Sequence, residues 1–273
     1  MHFKLLFFIL LFTVIESCKH DTNTQVQEEQ QIPQSEVSEL SFALIKTYPH
    51  DMHSFTEGLT FFNGKLYEST GATSELPQTR SLFGELDLST GQIKAKAELD
   101  KNIYFGEGIT FLNNKVYQLT WTSKVGFVYD AKSFKKIKEF TIPSTEGWGM
   151  TNDGKMLIMS DGTNKLRYLD PETLTVTNTV NVFEDGYALR NLNELEYVDG
   201  FIFANIWMTN TIVKIDPKSG KVIAKLDLSA LAKEAQLKNP GSKEMNGIAY
   251  NMPTGKFFVT GKMWPSIFEI EIK

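Results

Sequence analysis

One short phrase returns five times along this chain, and its spacing restricts what the chain can fold into. The copies are FTEGLTF (55–61), FGEGITF (105–111), GWGMTND (147–153), LNELEYV (192–198) and MNGIAYN (245–251). Aligned on one another, they place Glu57, Glu107, Trp148, Asn193 and Asn246 in register, at steps of 50, 41, 45 and 53 residues. A period of about 40–50 residues with strand-like content is that of a propeller blade. One equivalent position per blade aims five side chains at one axis. The repeat fixes the geometry, and the departures from it supply the chemistry.

The segments downstream of each phrase repeat as well. Second strands are expected in KLYESTG (65–71), KVYQLTW (115–121), KMLIMSDG (155–162), FIFANIWMTN (201–210) and KFFVTGKMW (256–264). Before them lie Asn63-Gly64, Asn113-Asn114, Asp153-Gly154, Asp199-Gly200 and Thr254-Gly255. Such pairs tolerate positive φ and favour tight hairpins. Third strands begin near residues 82, 126, 166, 212 and 267, and four of them run into an Asp and a turn. Fourth strands come next at 92–99, 135–142, 175–182 and 221–228, but the fifth blade reaches the C-terminus without one. Its missing strand is expected in SFALIKTY (41–48), which would join the two ends and remove an exposed edge. The fold class is therefore all-β: a five-bladed β-propeller of four-stranded blades, the last closed by an N-terminal strand. The competing arrangement is a β-sandwich with hairpins at chance spacing. Two insertions, 71–81 and 229–244, break the rhythm; the second has helical character, and long loops on a rigid scaffold often cover a site.

The N-terminus reads as an export signal. Lys4 precedes an apolar run of eleven residues, Leu5 to Ile15, too short to span a bilayer. Ser17-Cys18 then ends the run like a bacterial lipobox, which makes Cys18 a lipidation site and 1–17 a lipoprotein signal peptide. Cleavage of a plain signal peptide nearby is the alternative. Residues 18–40 are polar and rich in Gln and Glu, the composition of a flexible tether, so the propeller is expected over 41–273. The protein is thus expected as an exported bacterial lipoprotein, periplasmic or at the outer membrane and cell surface, held to the membrane by its lipid. With one cysteine in the chain, an intrachain disulfide is impossible and a cysteine-based core site is ruled out. Net charge is −5 with no run of Lys or Arg, which argues against a nucleic-acid partner. A monomer is expected.

Several stretches carry a resemblance: YPHDMHSFTEGL, LYESTG, FGEGIT, VYQLTWTSKVGFVYD, EGWGMTNDG, LNELEYVDG, ANIWMTNTIVKIDPKSG, MNGIAYN and FVTGKMWP. Through them the chain resembles the plant-type and bacterial glutaminyl cyclases, five-bladed propellers, almost continuously over 48–268. The resemblance implies a reaction on peptides or proteins with N-terminal glutamine. The α-amine attacks the side-chain amide, ammonia leaves and pyroglutamate caps the chain. It implies no required cofactor and no catalytic metal. His50 and His53 form a lone His-x-x-His pair, which is weak evidence for a metal site, and a structural cation in the axial channel stays open.

Cyclisation needs a proton taken from the amine and one given to departing ammonia. A single carboxyl group can do both if burial raises its pKa toward neutrality. Glu107 is the candidate, flanked by Phe105 and Gly106 and standing at the family's catalytic position in FGEG. A structural carboxylate is the alternative. Glu57 departs from the family's usual FTQG; it is either a second acid/base paired with Glu107 or, preferably, an acceptor for the substrate amine. Trp121 and Trp207 each lie 14 residues after a phrase position, and with Trp148, Phe55 and Phe105 they are expected to wall an apolar pocket. An indole N–H could donate to the amide oxygen. Asn193 suits the substrate amide or amine, with Asn246 its weaker counterpart. Lys262 matches a family lysine and could steady negative charge or tune Glu107. Glu194 and Glu196 read as structural. Two rivals remain: a non-catalytic propeller binding peptides or sugars, and a calcium-dependent lactonase- or lyase-like hydrolase using the same axial carboxylates and amides.

Overall fold

The computed structural model describes residues 37–273; the expected signal peptide, Cys18 and most of the expected tether lie outside the described residues. The five phrases become the innermost strands of five antiparallel sheets: Thr56–Phe62, Gly106–Leu112, Met150–Asn152, Leu192–Val198 and Met245–Asn251. Each pairs with the second strand expected for it, and third and fourth strands succeed it outward in order. The inner strands contact one another from blade to blade and close the ring.

Local chemistry explains the repeat. In three of the hairpins both central residues take positive φ, at Asn63-Gly64, Asn113-Asn114 and Asp199-Gly200. This is the turn whose twist matches the flanking strands. The Asp ending the third strand folds its own turn: Asp87, Asp130, Asp170 and Asp216 accept backbone N–H groups two or three residues on, at 2.7–3.1 Å. These hydrogen bonds hold all four carboxyls below their ordinary range. Between the blades, buried aliphatic and aromatic side chains form one cluster per interface.

The fifth blade closes as expected. Phe42–Pro49 lies antiparallel to Ser266–Ile272, and Ser41 and Lys273 exchange backbone hydrogen bonds. The tether, however, ends earlier than its composition suggests. Ser38–Leu40 pairs in parallel with Val222–Asp227, giving the fourth blade a fifth strand, and Val37 is buried in that blade's core. Three residues with two exposed polar side chains carry too little periodicity to be seen as a strand; the free edge of blade 4 selects them. A two-stranded ribbon, Phe183–Glu184 with Tyr187–Ala188, also escapes the repeat pattern. The insertion at 229–244 contains the helix Ser229–Lys238, which buries Leu231, Ala232 and Ala235 against Trp264 and Phe268.

At the axis the residue after each aligned position is glycine in four blades: Gly58, Gly108, Gly149 and Gly247. A Cβ on Gly149 would stand 2.1 Å from the Asn193 carbonyl oxygen, and one on Gly108 would stand 2.5 Å from the Met150 nitrogen. The inner strands therefore approach as closely as backbone allows. In the fourth blade the residue is Glu194, whose buried carboxyl group accepts N–H groups from Leu59 (3.2 Å) and Ile248 (2.8 Å). One side chain thus ties the fourth blade to the first and fifth across the hub.

Candidate active site

The first residues of the inner strands open into a cavity of about 340 Å³. Of the residues expected there, Phe55, Glu57, Phe105, Glu107, Trp121, Trp148, Asn193, Trp207 and Lys262 all line it. They arrive from all five blades, each at or near the axial end of a first or second strand. The aromatic wall is continuous on one side, where Phe105 meets Phe55 edge-on at 5.9 Å and Trp121 at 5.8 Å. Trp148 and Trp207 form a second T-shaped pair, with centroids 5.6 Å apart. Gly71 and Gly162 permit this packing, because a Cβ on either would strike the Phe105 or Trp148 ring.

Glu107 is buried at 5% exposure, and its Oε2 has no hydrogen-bond partner among the described residues. Burial raises its pKa well above the ordinary carboxylate range; the Glu57 charge adds to this, and Lys262 pulls the other way. Glu57 is more confined. Its Oε1 lies 2.8 Å from Lys262 Nζ, and its Oε2 accepts from Asn246 Nδ2 at 3.0 Å. Burial pushes the Glu57 carboxyl up to about 7 despite the ammonium beside it. Burial disfavours the Lys262 charge, but Glu57 and Glu107 outweigh it and leave the ammonium pKa above its ordinary value. That ammonium also stands 4.8 Å over the Phe55 ring. Asn193 presents a buried Oδ1 with no partner among the described residues. The cavity therefore contains one unpaired carboxyl oxygen and one unpaired amide oxygen, set among rings.

Two details differ from expectation. The indole N–H groups of Trp121 and Trp148 do not point at a free oxygen; both donate to Glu146 Oε2 at 2.8 Å. Asn246 does not line the cavity but steadies Glu57 from behind. Trp264 is core: 1% exposed, it packs on Phe268 and donates to the Lys243 carbonyl at 3.0 Å. His50 is also structural. Both ring nitrogens face acceptors, the Trp264 carbonyl at 2.8 Å and Glu68 at 3.0 Å, so the ring is an imidazolium. Burial lowers its pKa, but Glu68 and the Trp264 carbonyl together raise it further. His53 is exposed beside Asp51. Among the described residues no group of three or more His, Cys, Asp or Glu is arranged to hold a metal.

Sequence reasoning did not single out Glu146, nor Thr73, Glu75, Leu76, Lys243 and Glu244. The last five line the mouth. All five sit in the two insertions, so the break in rhythm marked the segments but could not name the residues. Glu146 lies two residues before Trp148 and outside any phrase, where nothing in the sequence shows that two indoles converge on it.

Comparison with known proteins agrees with the geometry. The family profile described as glutamine cyclotransferase matches residues 14–272. A glutaminyl-peptide cyclotransferase of Arabidopsis thaliana is 36% identical over 233 residues, covering 84% of this chain and 71% of that relative. The crystal structure of Myxococcus xanthus glutaminyl cyclase superposes with a TM-score of 0.78 at 31% identity, over 87% of this chain and 98% of that one. On fold, motif and sequence together, the chain belongs to the glutamine cyclotransferase family.

Proposed function

We propose that the protein cyclises N-terminal glutamine of peptides and proteins to pyroglutamate, with Glu107 as the single proton carrier. The observation that carries this reading is a buried carboxyl oxygen without a partner among the described residues, set among aromatic rings in the axial cavity. The substrate amine attacks the side-chain amide carbon and loses a proton to the Glu107 carboxylate. The tetrahedral intermediate then collapses, and Glu107 returns that proton to nitrogen, which leaves as ammonia. One C–N bond forms, one breaks, and the enzyme ends as it began. A carboxyl whose pKa burial has raised serves as base in the first step and acid in the second. Asn193 Oδ1 is suited to accept from the substrate amide or amine N–H. The Glu146 carboxylate fixes two indoles, and Glu57 fixes Lys262, so the walls are set before substrate arrives.

This route uses no metal, so turnover is expected to be insensitive to EDTA. The direct test is ammonia release from a Gln-peptide or Gln-β-naphthylamide over pH 6–9, with Glu107→Gln inactive yet folded. Absence of release by the wild-type protein with and without EDTA would overturn the reading. Export as a lipoprotein monomer anchored through Cys18 is part of the same proposal. Palmitate labelling of the wild-type chain and none of Cys18→Ala would support it; equal labelling would sink it.

A further inference from the structure

We propose that the two insertions form a second subsite, for the residue after the glutamine, and that Glu75 and Glu244 make it favour a basic side chain there. This rests on the cyclase reading of the well and concerns the space above it. Glu57, Glu107 and Asn193 are buried in the cavity, whereas Glu75 and Lys243 on the same lining are exposed. A peptide whose first residue reaches Glu107 therefore leaves past the insertions. Inside the well wait the two partnerless buried atoms, Glu107 Oε2 and Asn193 Oδ1. At the mouth stand Thr73, Glu75 and Leu76 from one insertion and Lys243 and Glu244 from the other.

Both insertions are held before any ligand binds. Thr79, wholly buried, accepts from the Thr73 N–H at 3.1 Å and donates to the Leu76 carbonyl at 2.7 Å. Lys101 Nζ ties the same loop at the Pro77 carbonyl, 2.9 Å away. On the other side Lys243 and Lys262 pair through their backbones, and the Lys262 N–H donates to the Glu244 carbonyl at 2.9 Å. The helix and Trp264 fasten that segment to the core. Glu244 is thus set beside the Glu57–Lys262 pair, whose own charges cancel. Among the mouth-lining side chains two carboxylates face one ammonium, Lys243, and the balance is negative. A preformed negative rim attracts a cationic side chain and repels an acidic one, at little ordering cost.

The test compares kcat/KM for Gln-Lys, Gln-Ala and Gln-Glu peptides, with glutaminamide as a substrate that reads the well alone. The expected order is Lys over Ala over Glu, each step roughly threefold, as for a partly exposed charge pair. The spread should shrink at high salt, because exposed charges are screened. Glu75→Lys should compress or invert the Lys/Glu ratio; Glu75→Gln and Glu244→Gln should each flatten it. An equal rate on all three peptides, or a ratio that all three variants leave unchanged, overturns the proposal. Failure to turn over glutaminamide would instead strike the cyclase reading itself.

Discussion

Glu57 is the side chain whose neighbours decide most about the pH response of the site. Its charge raises the pKa of Glu107, and its partner Lys262 already lowers it. Glu57→Gln removes the first effect and leaves the second no longer offset. Both shift Glu107 downward, so the acidic limb of the kcat/KM profile should move to lower pH. A limb that stays or rises would contradict the arrangement. Glu107→Gln should leave the melting temperature equal or higher, since an unpaired buried carboxyl is lost and an uncharged isostere replaces it. The cavity residues carried by the repeat and the family motifs, from Phe55 and Glu57 to Asn193 and Lys262, were legible in the sequence; Thr73, Glu75, Leu76, Lys243 and Glu244 were not, because insertions obey no period. The direction of the indole N–H groups was not, because Glu146 belongs to no repeat unit and its contacts are tertiary.

At the scale of single elements, the inner strands depend on missing side chains. Gly149→Ala forces a methyl group to 2.1 Å from the Asn193 carbonyl and should cost about 3 kcal/mol, the upper range for overpacking, read as a lower urea midpoint at constant slope. It should also impair turnover, since Asn193 must move. The strands and their turns could be read in advance because period, Asx turns and Asn-Gly pairs are local signals. Ser38–Leu40 could not, because a strand of three residues is defined by the edge it joins rather than by its own pattern. Trp264 sits at a repeat-equivalent place yet packs as core. Position in the repeat gives the depth of a side chain, but the inserted helix decides what covers it.

Across the whole molecule, buried carboxyls set the pH response of stability. Burial raises Glu57 to about 7 and Glu196 to about 8 from an ordinary 4.5, and raises Glu194 and Glu107 well above that ordinary value too. The folded state therefore holds more protons than the unfolded chain above about pH 4.5, and stability falls as pH rises through the raised values. His50, whose pKa is also raised, adds a loss in the same direction above 6.5. The turn aspartates act oppositely: their lowered pKa values contribute stability above 3.8 that is lost as pH falls. Calorimetry should thus show a higher melting temperature at pH 5 than at pH 8, and Glu194→Gln should reduce the difference.

The strand that completes the last blade lies far from its partner in sequence. Tyr48 donates to Glu269 across 221 residues of sequence, at 2.8 Å. The ring cannot close until everything between those two strands has been made, and closing it carries a large loop-closure entropy. In the closed ring Phe42–Pro49 is the outermost strand of its blade and mostly exposed, with the Lys46 charge set beside Leu44 and Ile45 on that free edge, where it discourages edge-to-edge pairing.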